Sequence, residues 1–384
     1  MNKIESLKLE YYKTISLIKE NAYSLKEIDY FVNLSKEYCE NLFETKNSPR
    51  LFLLDPLFPT EIIKAMGIEY QFIFGGSFVA TEINEFNLPK KVDDEIKSIL
   101  GILGTLNLKE NDVVLVPLIN DNYRKLSSLL CGLVKTISYE VTKDKKRYNS
   151  QIKKVVLKLK KHFKKNLSFK KLNFECKLSK KASEVFVKFE KIYSDGNQLI
   201  SPLIFLFISN TYYMSDNKLD WSSHLSKLID TMGLNQNLKL ENKNSKILMF
   251  GSPIYFPNYK IPIALLEQNI FVTKFVYPFI ENIKIYNNFS YRFFTVNRVC
   301  NQYYFFFTRL DTIPELIMYL TKKENYKVLL CLITKGQINI DEQFIELKKI
   351  LLEKKTISIK IETMFNYQDI EQIRTKLEAI SEIW

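Results

Sequence analysis

The sequence predicts an α/β protein built from two doubly wound parallel-sheet units, flavodoxin- or Rossmann-like, with a helical segment connecting them. Three observations predict it. Short apolar runs alternate with helical patterns between residues 50 and 134, and the alternation resumes from residue 246; this is how parallel strands covered by helices read. The stretch between them carries helical spacing alone. A chain of 384 residues that is 46% hydrophobic is also too large for one ordinary core and rich enough to fill two or three. The expected division is 1–48 as N-terminal helices, 49–142 as the first α/β domain, 143–244 as a basic helical segment and 245–384 as the second α/β domain.

Each element has a local reason. Leu7, Tyr11, Ile15 and Ile18, then Ile28, Phe31, Leu34 and Tyr38, repeat at helical spacing and predict two helices. Arg50–Leu54 reads as a short strand and Pro59–Met66 as a helix opening on proline, whose fixed φ suits a first turn. Tyr70–Phe74 is a strand ending at Gly75-Gly76. Asp93–Leu103 reads as a helix, Val113–Pro117 as a buried strand and Asp121–Val134 as a helix. From about Lys145 to Met232 the pattern is helical, with Ser179–Tyr193 and Leu219–Met232 the clearest parts after the basic run. The second alternation follows: strand Lys246–Phe250 ending at Gly251, helix Pro257–Gln268, strand Ile270–Lys274, strand Val328–Ile333, helix Asp341–Leu352, strand Ile357–Ile361 and terminal helix Tyr367–Ile383.

The net charge of +13 suggests a nucleic-acid partner until its origin is traced. Residues 143–171 hold thirteen Lys or Arg against one acid, Asp144, so nearly all the excess lies there. Only seven of the 56 basic residues are Arg, and lysine is poor at bidentate recognition of bases and phosphates. Nucleic acid is therefore an unfavoured partner. Ile152, Val155, Val156, Leu159 and Phe163 form an apolar stripe in this segment, ringed by Lys153, Lys154, Lys158, Lys160, Lys161 and Lys164. That is an amphipathic helix with a solvated basic face. The same face has the charge to attract CoA phosphates, an acidic subunit or an anionic surface. Five widely spaced cysteines (Cys39, Cys131, Cys176, Cys300 and Cys331), with no C-x-x-C pair, fit buried thiols in a reducing cytoplasm and give no zinc pattern. No apolar run reaches transmembrane length, and residues 1–13 lack the apolar core of a signal peptide. His162 and His224 have no cysteine or carboxylate pattern beside them and read as surface or structural residues.

Three sequence blocks occur in a telling order. Pro59-Thr60-Glu61-Ile62-Ile63-Lys64-Ala65-Met66-Gly67 is followed by Gly75-Gly76. Gly251-Ser252-Pro253 follows a strand, with Asn258 and Leu265-Leu266-Glu267 beyond it. Ile361-Glu362-Thr363 closes the last strand before Asp369-Ile370-Glu371-Gln372-Ile373-Arg374-Thr375-Lys376-Leu377-Glu378-Ala379. Together, over roughly residues 50–384, they resemble the D-component family of 2-hydroxyacyl-CoA dehydratases, in the superfamily of benzoyl-CoA reductase. Lys376 departs from that family's usual Arg.

The resemblance implies a [4Fe-4S] cluster held by three cysteines, and here none of the three is present. The family's cysteine at a helix start falls on Asp93, in Asp93-Asp94-Glu95-Ile96-Lys97-Ser98. Its cysteine before an aspartate falls on Asn120, in Pro117-Leu118-Ile119-Asn120-Asp121. The third falls on Gly336 or, with a one-residue shift, Gln337. Low-potential clusters require soft thiolates, whereas Asp and Asn offer hard oxygens and Gly offers no side chain. No cofactor is expected on this chain.

The resemblance also implies a two-subunit, lyase-like enzyme acting on a CoA thioester. The favoured expectation is a divergent subunit paired with a cluster-bearing homologue, with a homodimer as the other assembly, and not catalytic alone. The alternatives are a non-redox enzyme or binder for a CoA thioester or other anionic ligand, and an anionic-surface or nucleic-acid binder acting through the basic helix. Asp121 and Glu61 match pocket positions of the family and are the candidate acid–base groups, although both also suit helix-start roles. Gly75, Gly76, Gly251 and Ser252 are the candidate ligand-binding positions at strand ends, with plain strand-end turns as the alternative.

Overall fold

The computed structural model describes residues 2–22, 25–83, 92–196, 199–234, 246–287, 293–311, 313–324, 326–352 and 356–382. Two helices open the chain, α1 (Lys3–Glu20) and α2 (Ile28–Phe43). Leu7, Tyr11, Ile15 and Ile18 are the buried stripe of α1, the four positions its spacing marks. Asn2 and Glu5 close a capping box at its start.

The first sheet contains β1 (Leu51–Leu53), β2 (Tyr70–Phe72), β3 (Val113–Leu118) and β4 (Lys135–Glu140). Its order is β2-β1-β3-β4 and every pairing is parallel. The helices between these strands are α3 (Thr60–Ala65), α4 (Phe78–Glu82), α5 (Asp94–Thr105) and α6 (Asp121–Leu130). Because β1 lies between β2 and β3, the winding reverses there, and the crevice beyond the carboxyl ends of β1 and β3 is a topological switch point.

Four helices follow: α7 (Lys145–Phe163), α8 (Phe169–Ser194), α9 (Pro202–Met214) and α10 (Lys218–Leu234). Every residue of α9 is buried, which explains its unbroken apolar texture. α8 ties this layer to both flanks. Ser179 donates to Glu61 of α3 at 2.7 Å, while Glu190 accepts from Lys274 at 2.7 Å and Lys284 at 2.9 Å.

The second sheet repeats the plan with β5 (Lys246–Gly251), β6 (Lys274–Val276), β7 (Tyr326–Thr334) and β8 (Ile357–Thr363), in the order β6-β5-β7-β8 and again all parallel. Its helices are α11 (Lys260–Glu267), α12 (Pro278–Ile283), α13 (Val296–Asp311), α14 (Ile313–Glu324), α15 (Ile338–Leu352) and α16 (Ile370–Glu382). A second switch point lies beyond β5 and β7. The expected fold class, two doubly wound α/β units with helices between, is the observed architecture. The expected boundary at 244/245 and the end of the terminal helix at Ile383 fall outside the described residues.

Local differences have physical causes. β4 has no counterpart in the expected strands because only Ile137 and Tyr139 of its six residues are buried, between polar neighbours. That period-two pattern suits a sheet edge. The strand expected at Ile270–Lys274 starts only at Lys274; Ile270 and Val272 are buried in the approach to it, and the Thr273 N–H reaches the Ile247 carbonyl at 2.9 Å.

The first sheet is anchored at its amino edge by a buried ion pair. Arg50 places Nη2 2.9 Å and Nε 3.3 Å from Asp112 Oδ2, and its backbone N–H donates to Asp112 Oδ1 at 2.8 Å. Removing the carboxylate strands a buried guanidinium. Asp112→Ala is expected to cost about 3–5 kcal/mol, read as a fall in the urea midpoint with the slope unchanged.

Candidate functional site

The carboxyl edges of the two sheets face one another, so the loops of both switch points meet. Asp55 follows β1, Gly75 and Gly76 follow β2, and Asn120 follows β3. From the other side come Gly251 and Ser252 after β5, and Gly336 and Gln337 after β7. Two approaches fix the separation. A methyl group at Gly76 would overlap the carbonyl oxygen of Tyr255, so only glycine lets these loops touch. A β-carbon at Gly336 would stand 3.5 Å from Cβ of Asp93.

The amino ends of α5 and α6 supply the chemistry. Asp93 caps α5: Oδ1 accepts from the Ile96 N–H at 3.0 Å, and Oδ2 accepts from the Asn122 side-chain amide at 2.8 Å. Asn120 caps α6 by accepting from the Tyr123 N–H at 3.0 Å. The Tyr123 hydroxyl then donates to Glu95 at 2.9 Å. From the second unit, Gln337 Nε2 reaches Glu95 at 3.5 Å, while its oxygen accepts from Ser252 Oγ at 2.5 Å. Ser252 Oγ also accepts from the Thr334 N–H at 2.7 Å. The N–H of Phe365 donates to Asp94 at 3.0 Å, a further bond between the units.

Three carboxyls therefore share one confined space, and their proton affinities are raised. Burial pushes Glu95 up from 4.5 to about 8, helped by the charges of Asp93 and Asp55 and opposed by the Tyr123 hydrogen bond. Burial likewise raises Asp93, against the bonds from Ile96 and Asn122. Asp55 keeps a partial opening to solvent, yet desolvation pushes it up to about 7 against one backbone bond from Leu57.

The candidate positions divide into two groups. Asp93, Gly336, Gly75, Gly76 and Ser252 lie in this junction, and Asn120 opens the helix turn that meets Asp93. Gly75 and Gly76 are packed against Glu95 and the Tyr255–Phe256 backbone. Gly251 has φ +113°, and a β-carbon there would overlap the Leu332 carbonyl, which gives it a strand-end role. Asp121 points to solvent and pairs with Arg124 at 3.0 Å. Glu61 is buried in the α3–α8–α13 junction, accepting from Ser179 at 2.7 Å and from Tyr303 at 3.1 Å. Asp55, Glu95 and Tyr123 were not singled out in the sequence. The available signal was their placement: one follows a switch-point strand, and the others sit two and three residues after the cap positions Asp93 and Asn120.

The D-component profile of 2-hydroxyglutaryl-CoA dehydratase matches residues 57–384, which is most of the chain. The chain belongs to this family. No curated protein matches it. For a D-component of this kind, the cleft between the two units is where the resemblance puts a [4Fe-4S] cluster. The residues present do not fit that group: Asp93 has both oxygens engaged in capping and amide bonds, Asn120 has its oxygen engaged likewise, and Gly336 has no donor. Gly336 also has φ +100°, a backbone that disfavours any side chain at that position. Cys331 is buried inside β7, among Leu329, Ile333, Phe344 and Leu347.

What the junction can do is hold and exchange protons near neutral pH, with Tyr123, Asn122 and Gln337 as hydrogen-bond donors. A separate hollow of about 380 Å³, between α2 and the α9–α10 turn, is lined by Glu37, Asp216 and Asp220. Its acidity is unsuited to the phosphates of CoA.

The raised carboxyl gives a signed prediction. Stability linked to Glu95 is complete below its unfolded value of 4.5 and is lost as pH rises through about 8. Glu95→Gln keeps a neutral hydrogen-bonding side chain. The variant should melt above the parent at about pH 9 and show a shallower decline in Tm between about pH 5 and pH 9. A parallel shift at every pH would contradict the assignment.

Proposed function

We propose that this chain is a subunit of a 2-hydroxyacyl-CoA dehydratase-type complex that carries no cluster of its own and pairs with a cluster-bearing homologous subunit. Its part is to shape the acyl-CoA site and stabilise the pair. The observation that supports the reading most is the donor set at the cluster positions: two helix caps and a positive-φ glycine, with the cap oxygens already engaged. Anaerobic purification from the native host tests it. A cysteine-bearing relative should co-purify, and all iron and acid-labile sulfide should fractionate with that relative after the two are separated. Stoichiometric iron on this chain alone, or a homodimer with no such relative, would overturn the reading.

The near-neutral carboxyls favour a second reading, a non-redox binder or acid–base catalyst for a CoA thioester. Asp93, Asn120 and Glu95 are its polar groups, and Asp121, turned to solvent, is not among them. Acyl-CoAs added to the isolated chain separate the two readings. A Tm rise with the chain alone, lost in Glu95→Gln, supports the second; a rise only in the paired complex supports the first.

A further inference from the structure

The corner between α7 and α8 combines dense positive charge with exposed apolar side chains. α7 buries Ile152, Val155 and Leu159 and turns its lysines outward. It ends at Lys164, whose backbone is left-handed with φ 53°. The Ser168 N–H then fastens the turn to the Ala65 carbonyl at 3.1 Å. Around this turn Lys160, Lys161, Lys164, Lys165, Lys170 and Lys171 are all exposed. Phe169 stands among them in the chain with 62% of its surface accessible, and Phe174 on α8 at 57% and Leu157 on α7 at 64% are exposed as well. Among the described residues no ion pair involves a lysine between 153 and 171; Arg147–Glu140 and Lys180–Glu184 are the pairs on either side.

We infer that this corner is a docking surface for an anionic phospholipid bilayer, with the lysines on the headgroups and Phe169 entering the interface. The charge complementarity is with a diffuse anionic surface. Lysine is a compact point charge on a flexible stem, which suits mobile headgroups and needs no bidentate geometry. A protein interface is depleted of lysine and gathers its aromatics into a desolvated centre, whereas here lysines separate Leu157, Phe169 and Phe174 along the chain. Nucleic acid fits less well, because Arg147 is the sole arginine of residues 143–171 and Leu157 has no ring to stack on a base. The apolar stripe of α7 is buried in the core, so the helix rests on the membrane by its basic face and contributes no in-plane insertion.

Co-sedimentation of the full-length chain with vesicles tests the inference. One set is phosphatidylcholine alone and the other contains about 30% phosphatidylserine. The expected result is at least about tenfold stronger partitioning onto the anionic set near 0.1 M salt, falling about tenfold near 0.4 M. Phe169→Ser should weaken partitioning about fivefold with the salt dependence kept, whereas Lys164→Glu with Lys165→Glu should flatten the salt dependence. Both sites are exposed, so matching circular-dichroism melts are expected. Equal or absent partitioning onto the two vesicle types would overturn the inference. Tighter binding to single-stranded RNA that strips the chain from the vesicles would overturn it in favour of nucleic acid.

Discussion

Two parallel sheets that face each other by their carboxyl edges must fit several strand-end loops and helix amino ends into one narrow gap. That constraint governs the rest of the molecule. The gap can close only where side chains are missing, as at Gly76 against the Tyr255–Phe256 backbone. It stays closed only if the orphan N–H groups of α5 and α6 find acceptors, since buried donors without partners are costly. Asp93 and Asn120 supply those acceptors, each bonding the N–H three residues on at 3.0 Å. A helix amino end also favours negative charge, which is why the acid-rich start Asp93-Asp94-Glu95 is tolerated in a buried place.

The same residues explain how such a scaffold holds together without thiolates at the positions where the resemblance puts them. A cysteine at a helix start is stabilised as thiolate by the local N–H groups. Asp and Asn occupy that spot as stronger caps, each worth about 1 kcal/mol over a non-capping residue. Caps of this kind favour local stability and offer no soft donor. Asp55, Asp93 and Glu95 sit where burial raises the proton affinity of all three, with the charges of Asp93 and Asp55 adding to the shift of Glu95 alone.

Much of the fold was legible because its signals are local. The buried stripe of α1, the apolar strands β3, β5 and β7, and the helices α5 and α6 follow from periodicity. β4 was not legible, because an edge strand with alternate polar residues carries little apolar signal. The site was legible in part. Asp93, Asn120 and Gly336 were found by resemblance, and no periodicity points to them. Asp55 and Glu95 escaped because their significance depends on which loops meet in space, a property of strand order. Asp121 shows the limit from the other side: it occupies a first helical turn as its position suggests, yet the helix rotates it to solvent while Tyr123, two residues on, turns inward.

The division of labour in the chain follows from what holds each part. The cleft is built from helix caps of the first α/β unit and from close backbone approaches between the two units. The helical layer binds those units from outside, through Ser179 on Glu61 and through Glu190 held between Lys274 and Lys284. Glu190 shows how firm that brace is: burial alone would raise its affinity for protons, but the two lysines bring it down to about 2. It therefore stays ionised wherever the cleft carboxyls are changing charge. The brace and the cleft answer to different ranges of pH, and titration of Glu95 can alter the site while the two sheets remain tied together.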